Sequence, residues 1–316
     1  MTAPTLQDIL EAALRIAPLA HRTPVLTSRG LDELCSAQVF FKCENFQRTG
    51  SFKIRGASNA ILALSDEEAR RGVVTHSSGN HASAVACAAR HRGIHATIVV
   101  PNNTPKAKQE TAAGFGGEIH LCEPTLAARS AAVEVIRQRT GATMVHPYDN
   151  EFVIAGQGTA ALELMEDFPD LDAIAAPISG GGLLSGTSIV AKALKPGLEV
   201  FGAEPERVDD ACRSFRSGKL EPLLSTDTIA DGLRGALCER TLGIFQANVT
   251  DVLTVSEAQI IEAMKLIWRY AKIVVEPSGA VPFAMLMAHR GRFAGRRVGL
   301  ILTGGNLDLD KLPWQT

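Results

Sequence analysis

Pro177-Ile178-Ser179-Gly180-Gly181-Gly182-Leu183-Leu184-Ser185-Gly186 reads as the end of a hydrophobic strand, a run of glycines and the start of a helix. Glycine lets the backbone come close to a bound anion, and the free N–H groups and dipole of a helix N-terminus favour negative charge. A tight strand-to-helix turn needs fewer glycines than this. The run therefore predicts a phosphate cradle made by Ser179, Gly180, Gly181, Gly182 and the first helical residue, Leu183. No GxxxxGK[ST] motif is present, which argues against a nucleoside triphosphate of the P-loop kind.

The same order of strand, turn and helix extends outward through the chain. Apolar, β-rich runs at Val39 to Lys42, Val73 to His76, Ala96 to Val100, Glu118 to Cys122, Ile174 to Ile178, Val200 to Ala203 and Val298 to Leu302 predict strands. Ala-rich segments at Ser83 to Arg92, Ala127 to Arg139 and Leu183 to Leu194 predict helices between them, and Ser256 to Tyr270 and Pro282 to Ala288 predict two more. This alternation predicts an α/β fold with mostly parallel sheets covered on both faces. At 316 residues the chain exceeds the size at which one core usually stops growing, so two lobes are expected. No linker, repeat or low-complexity tract separates them.

Bulk properties narrow the function. A formal net charge of −2 gives no electrostatic reason to expect nucleic acid or an anionic membrane as partner. No apolar run reaches the ~20 residues needed to span a bilayer, and Met1 to Ala13 carries Asp8 and Glu11 where a secretory signal would be basic and then apolar. The cysteines at 35, 43, 87, 122, 212 and 238 form no CxxC pair and no zinc spacing, so reduced thiols in a cytoplasmic enzyme are expected.

Three further segments carry chemistry. Gly50-Ser51-Phe52-Lys53-Ile54-Arg55-Gly56-Ala57 sets one lysine at a helix start, with Arg55 nearby in sequence. Burial or a neighbouring cation would lower the lysine's pKa and make it a nucleophile. Thr75-His76-Ser77-Ser78-Gly79-Asn80-His81-Ala82-Ser83 follows a strand and opens a helix, a carboxylate-binding arrangement that could also be an ordinary N-cap. Leu302-Thr303-Gly304-Gly305-Asn306 ends the last strand, where ligands of open α/β sheets sit, although Gly and Asn also make simple turns. Gly156-Gln157-Gly158-Thr159-Ala160-Ala161 matches the GxGxx(G/A) fingerprint, but a clear second strand and its acidic residue are missing, so a dinucleotide site is not expected.

Taken together and in this order, these segments resemble the fold-type II pyridoxal-phosphate (PLP) enzymes, the tryptophan synthase β-like group that includes threonine and serine dehydratases and serine racemase. The resemblance covers nearly the whole chain: Glu44 to Lys53, Ser78-Gly79-Asn80-His81, Ala155-Gly156-Gln157-Gly158-Thr159, the glycine run, Ala230-Asp231-Gly232, Glu276-Pro277 and Thr303-Gly304-Gly305-Asn306. It implies a large PLP-binding domain from residues 1–50 and 148–316 and a small domain from 51–147. Lys53 would hold PLP covalently and then act as the α-proton base. Phe52 would pack on the pyridine ring, Asn80 would bond its phenolic oxygen, Thr303 would face the ring nitrogen, and Ser179 to Leu183 would hold the phosphate. Ser77, Ser78, Asn80 and His81 would meet the substrate. The implied reaction turns a β-hydroxy amino acid into a 2-oxo acid and ammonia.

Four details point within the group. Ser78 stands where the racemases that this chain resembles place a second base. Ala203-Glu204-Pro205-Glu206-Arg207-Val208-Asp209-Asp210 resembles their divalent-cation site, with Glu204, Asp210 and the Val208 carbonyl as oxygen ligands for Mg²⁺ or Ca²⁺, although a solvated acidic loop would read the same way. Arg129 aligns with an arginine that can face a second substrate carboxylate, a task suited to its bidentate fork. The stretch from Arg297 to Trp314 looks most like the 3-hydroxyaspartate dehydratases. The resemblance therefore implies a dehydratase for 3-hydroxyaspartate, L-serine or L-threonine, with serine racemase as the alternative, working as a homodimer on a small-molecule substrate.

Overall fold

The computed structural model describes residues 3–315. In chain order its elements are α1 (Leu6–Ile16), β1 (Val25–Leu26), α2 (Arg29–Cys35), β2 (Gln38–Cys43), α3 (Lys53–Leu62), α4 (Asp66–Arg71), β3 (Val73–His76), α5 (Asn80–Arg92), β4 (Ala96–Pro101), α6 (Lys106–Gly114), β5 (Glu118–Cys122), α7 (Leu126–Thr140) and β6 (Thr143–Met144). Then follow α8 (Glu151–Asp167), β7 (Ala173–Pro177), α9 (Gly182–Leu194), β8 (Glu199–Pro205), α10 (Asp210–Ser217), α11 (Glu239–Asn248), β9 (Asp251–Val255), α12 (Glu257–Leu266), α13 (Pro277–Ala288), α14 (Arg290–Phe293) and β10 (Arg297–Leu302).

The strands form two sheets. One has six strands in the order β1-β2-β10-β7-β8-β9, the other four in the order β5-β4-β3-β6. Among the described strands only β1 runs antiparallel and the other strand pairs are parallel, as the alternation of strands and helices predicts. Central strands β7 and β10 are apolar and buried along most of their length, because helices cover both faces. Three short or late elements depart from the sequence reading. β6 has two residues, too few to show a period, and β9 lies in a region from which no strand was predicted. α13 starts at Pro277 and runs through Pro282, so Pro282 is inside the helix and not at its first turn.

The GQGT segment lies inside α8, which removes the βαβ setting that a dinucleotide site needs. Its glycines serve packing. A Cβ on Gly156 would lie 2.6 Å from the Arg55 carbonyl oxygen, and one on Gly186 of α9 would lie 2.5 Å from the Ile154 carbonyl oxygen. α8 thus meets α3 on one side and α9 on the other, backbone against backbone. Arg55, in the first turn of α3, is fully buried and forked between Glu44 (Nε–Oε2 2.7 Å) and Glu163 (Nη1–Oε1 2.7 Å), with Lys42 also paired to Glu163 at 2.6 Å. These contacts fix the helix that begins at Lys53.

Gly186→Ala should destabilise the chain by about 1–3 kcal/mol through overpacking of the α8–α9 crossing. The shift of the urea midpoint at unchanged slope measures it; a midpoint equal to wild type would mean that the helices have room to separate.

Candidate functional site

The lysine turn is stitched to the end of the central strand. The Phe52 N–H donates to the Thr303 carbonyl (3.0 Å), the Gly305 N–H donates to the Gly50 carbonyl (3.0 Å), and Ser51 bridges Gly304. Lys53 opens α3, so its amine stands where β10 ends. The amine donates to the Pro147 carbonyl at 3.2 Å and lies 5.0 Å from the centre of the Phe52 ring. Burial pulls its pKa down to about 8, against the smaller opposing pull of the Glu276 carboxyl. At pH 7 about a tenth of it is therefore the unprotonated nucleophile, far more than of an ordinary lysine. Arg55, expected from sequence as a possible activating cation, is instead consumed by Glu44 and Glu163.

The glycine loop joins β7 to α9, and Gly181 adopts a left-handed φ of +88°. Its walls leave no space for side chains: a Cβ on Gly180 would lie 2.2 Å from the Tyr148 ring, and one on Gly181 would lie 2.8 Å from Thr241 Cβ. Ser179 Oγ accepts from the Gly235 N–H at 3.0 Å, which fixes the loop's first residue. The result is a run of bare backbone at the start of the 13-residue helix α9, a setting that favours an anion such as a phosphate group. Leu183 lies buried in that helix's first turn.

Thr303 is 3% exposed, and its Oγ1 has no hydrogen-bond partner. A buried orphan hydroxyl is costly, so its position at the end of β10 suits a ligand atom such as a ring nitrogen. Asn80 is held at both ends: Nδ2 donates to Glu276 (2.9 Å to Oε1) and Oδ1 accepts from Asn306 Nδ2 (2.9 Å). Nδ2 also lies 3.2 Å from Glu276 Oε2, so the carboxylate engages the amide through both oxygens. Glu276 also accepts from the Asn306 N–H at 3.1 Å, and burial pushes its carboxyl up to about 7. The sequence reading quoted Glu276 as part of a motif but gave it no task; in the structure it sets the orientation of Asn80.

At the N-terminus of α5 the cap residue is Gly79, and no side chain caps the helix. Ser77 Oγ accepts weakly from the Gly79 N–H (3.4 Å), and Ser78 makes no capping bond. The Ala82 N–H donates back to the Gly79 carbonyl (2.9 Å), while the N–H groups of Asn80 and His81, the first two of the helix, have no intrahelical carbonyl to bond. His81 differs from its neighbours. Its ring turns inward, with Nε2 3.0 Å from the Val145 carbonyl, and burial, with the Lys53 charge second, holds its pKa at about 3. The ring's Nδ1 is buried without a partner, so it and the main-chain N–H are the groups of His81 left for a ligand.

Arg129, on α7, forms no ion pair among the described residues, and its Nε is buried without a partner. Its charge reaches His76, the residue before Ser77, whose pKa is lowered first by burial and then by this guanidinium. Glu204, at the end of β8, accepts from the N–H groups of Ala211 (3.2 Å) and Cys212 (2.9 Å), and Asp210 Oδ2 is a buried orphan beside it. Burial pushes Glu204 up to about 9 and Asp210 to about 6. Two buried carboxyls without a cation are a poor arrangement by themselves and a good one for a divalent ion. No group of three or more His, Cys, Asp or Glu side chains gathers for a metal among the described residues, so a cation here would need carbonyl or water oxygens such as that of Val208.

Sequence reasoning missed the crossing segment Val145 to Asp149. Its carbonyls receive Lys53, His81 and Thr75, and its rings stack in series: His76 to His146 at 5.6 Å and His146 to Tyr148 at 4.6 Å between centroids. The only local signal was a proline between two rings, His146-Pro147-Tyr148.

The model of the family described as "Pyridoxal-phosphate dependent enzyme" matches residues 16–304. The chain is 49% identical over 314 residues to a beta-hydroxyaspartate dehydratase of Paracoccus denitrificans, covering 99% of this chain and 100% of that one. It is 43% identical to an L-threo-3-hydroxyaspartate ammonia-lyase of Saccharomyces cerevisiae, covering 98% and 96%. The structure of maize serine racemase superimposes with a TM-score of 0.96 at 44% identity, covering 98% of this chain and 95% of that one.

A pKa of about 8 for Lys53 fixes the pH dependence of cofactor capture. The neutral amine is the reactive form, so PLP uptake by apoprotein should speed up as pH rises and level off above about 8. Stopped-flow absorbance over pH 6–10 measures it. A rate still climbing at pH 10 would mean an ordinary, solvated lysine.

Proposed function

Because the chain belongs to the pyridoxal-phosphate dependent enzymes, we propose that it eliminates water and then ammonia from a β-hydroxy amino acid, 3-hydroxyaspartate first, with L-serine and L-threonine as lesser substrates. PLP, when bound, supplies an electron sink for the pair left behind as the α-proton departs. The residues present fit it: a glycine cradle without side chains, an orphan hydroxyl at Thr303 and a buried lysine of low pKa.

In this reading Lys53 holds the cofactor and takes the α-proton, with Phe52 beside it. Ser179 to Leu183 bind the phosphate through N–H groups. Thr303 is neutral and cannot keep a proton on the ring nitrogen as a carboxylate would, which favours loss of a β-hydroxyl over longer-lived carbanion chemistry. Ser77, Asn80 and the His81 N–H, at the start of α5, take the substrate's α-carboxylate. Residues 51–147 form the smaller lobe, which carries this loop and Arg129 across from the glycine cradle. The preference for 3-hydroxyaspartate rests on one observation: Arg129 is an unpaired guanidinium within electrostatic reach of the residue next to that loop. A second carboxylate on the substrate is the natural partner for it.

The uncapped Ser78 hydroxyl supports a second activity. Racemisation needs a proton donor on each face of the α-carbon, and Lys53 serves one. One assay panel tests both readings, measuring 2-oxo acid and enantiomer formation from both isomers of each substrate. Arg129→Leu should cut kcat/KM for 3-hydroxyaspartate by roughly 10–100-fold, the worth of a charge-assisted hydrogen bond, and leave serine within about 2-fold. Ser78→Ala should lose racemisation and activity on one α-isomer while keeping elimination of the other. Equal losses on all substrates in either variant would count against its assignment.

The chemistry of Glu204, Asp210 and the Val208 carbonyl also supports a Mg²⁺ or Ca²⁺ site. A cation bound only by the folded state stabilises it. Chelation should therefore lower the melting temperature of wild type by several degrees and leave Glu204→Ala unmoved. An identical melting temperature of wild type with and without chelator would remove the cation from this reading.

A further inference from the structure

The glycine loop is held between two walls. On one side the Tyr148 ring covers Gly180 and Gly182, so close that a Cβ on Gly180 would lie 2.2 Å from the ring and one on Gly182 3.1 Å from Tyr148 Cβ. On the other side α11 and the turn before it back Gly181 through Thr241, Leu237 and Phe245. One ion pair ties these walls together. Arg240, between Glu239 and Thr241 in the first turn of α11, donates from Nε to Asp149 Oδ1 at 2.9 Å, and Asp149 is the residue after Tyr148. The side chains are 12% and 29% exposed, so solvent screens the pair less than a surface pair. A second acidic side chain, Glu151, stands 3.6 Å from the same guanidinium.

Tyr148 has few other anchors. The His146 ring stacks on it edge to face, and its backbone N–H reaches His146 Nδ1 at 3.4 Å, a long bond. Asp149 is the nearest charged residue in sequence and the one that grips the opposite wall. We propose that the Asp149–Arg240 pair clamps the walls of the glycine loop and so sets the grip on the cofactor's phosphate, which makes Arg240 and Asp149 positioning residues that need not touch the cofactor themselves. Without the clamp Tyr148 can lift from Gly180, and the loop's N–H groups lose the shape that suits a phosphate.

The clamp rests on the reading of Ser179 to Gly182 as the phosphate cradle. The test separates the two by titrating apoprotein with PLP and with pyridoxal, which lacks the phosphate, following protein fluorescence. Wild type should bind PLP far more tightly than pyridoxal; equal affinities would sink the cradle itself. Arg240→Met and Asp149→Asn should each weaken PLP about 10-fold and leave pyridoxal within about 2-fold. The double variant should be no worse than either single one, and Arg240→Lys should recover part of the loss. PLP binding unchanged in both single variants, or PLP and pyridoxal weakened alike, would overturn the clamp. Tyr148→Leu keeps the ion pair and covers the case of a variant that fails to fold: it should show the same phosphate-selective loss, and wild-type PLP affinity there would equally overturn the proposal.

Discussion

The short antiparallel contact between Gly50–Phe52 and Thr303–Gly305 is the constraint on which the site depends. It joins two segments 250 residues apart with backbone bonds alone. Lys53 follows from one side of it and Thr303 lies on the other, so the two groups are placed relative to each other without help from flexible side chains. The buried fork of Arg55 then locks α3 from behind, where Glu44 and Glu163 compensate its charge fully. Removing a partner from such a cluster is far more costly than never having built it. The lysine thus stands on a rigid base while its own amine is left without an acid in contact.

A contrast runs through the molecule. Charged groups behind the site are paired, whereas three polar atoms assigned to ligands are not. Thr303 Oγ1, Arg129 Nε and Asp210 Oδ2 are buried and unpartnered, and each lies where a ligand atom of complementary kind is expected. An unsatisfied buried polar atom costs about 1–3 kcal/mol, so each marks a place where stability is given up for binding. Other buried orphans, such as Ser58 and Thr187, are hydroxyls within helices.

Much of this was legible in the sequence, and the reasons are specific. The strand Val298 to Leu302 and the run from Pro177 to Gly186 announce themselves because burial on both faces demands unbroken apolar residues, and because glycine at a strand-to-helix turn has few other uses. The helix α8 was harder: its glycines imitate a nucleotide fingerprint, and only their close contacts with Arg55 and Ile9 show that packing selected them. Glu276 was quoted without a role because a carboxylate's burial depends on partners far away in sequence, here Asn80 and Asn306. His81 shows the converse, since a histidine in a binding loop looks like a ligand until its ring is seen to point at Val145.

The segment from Val145 to Asp149 was the least legible because its task is carried mostly by backbone. The carbonyls of Val145 and Pro147 accept from Thr75, His81 and Lys53, and any residue could supply them. What the sequence does specify there is stiffness: Pro147 restricts the chain between two rings that stack in series. A segment that crosses from the four-stranded sheet to α8 while touching the lysine, the carboxylate loop and the glycine loop can transmit a movement of any one to the others. Lys53's hydrogen-bond partner, Pro147, and the cover of the glycine loop, Tyr148, are thus neighbours on one stiff segment.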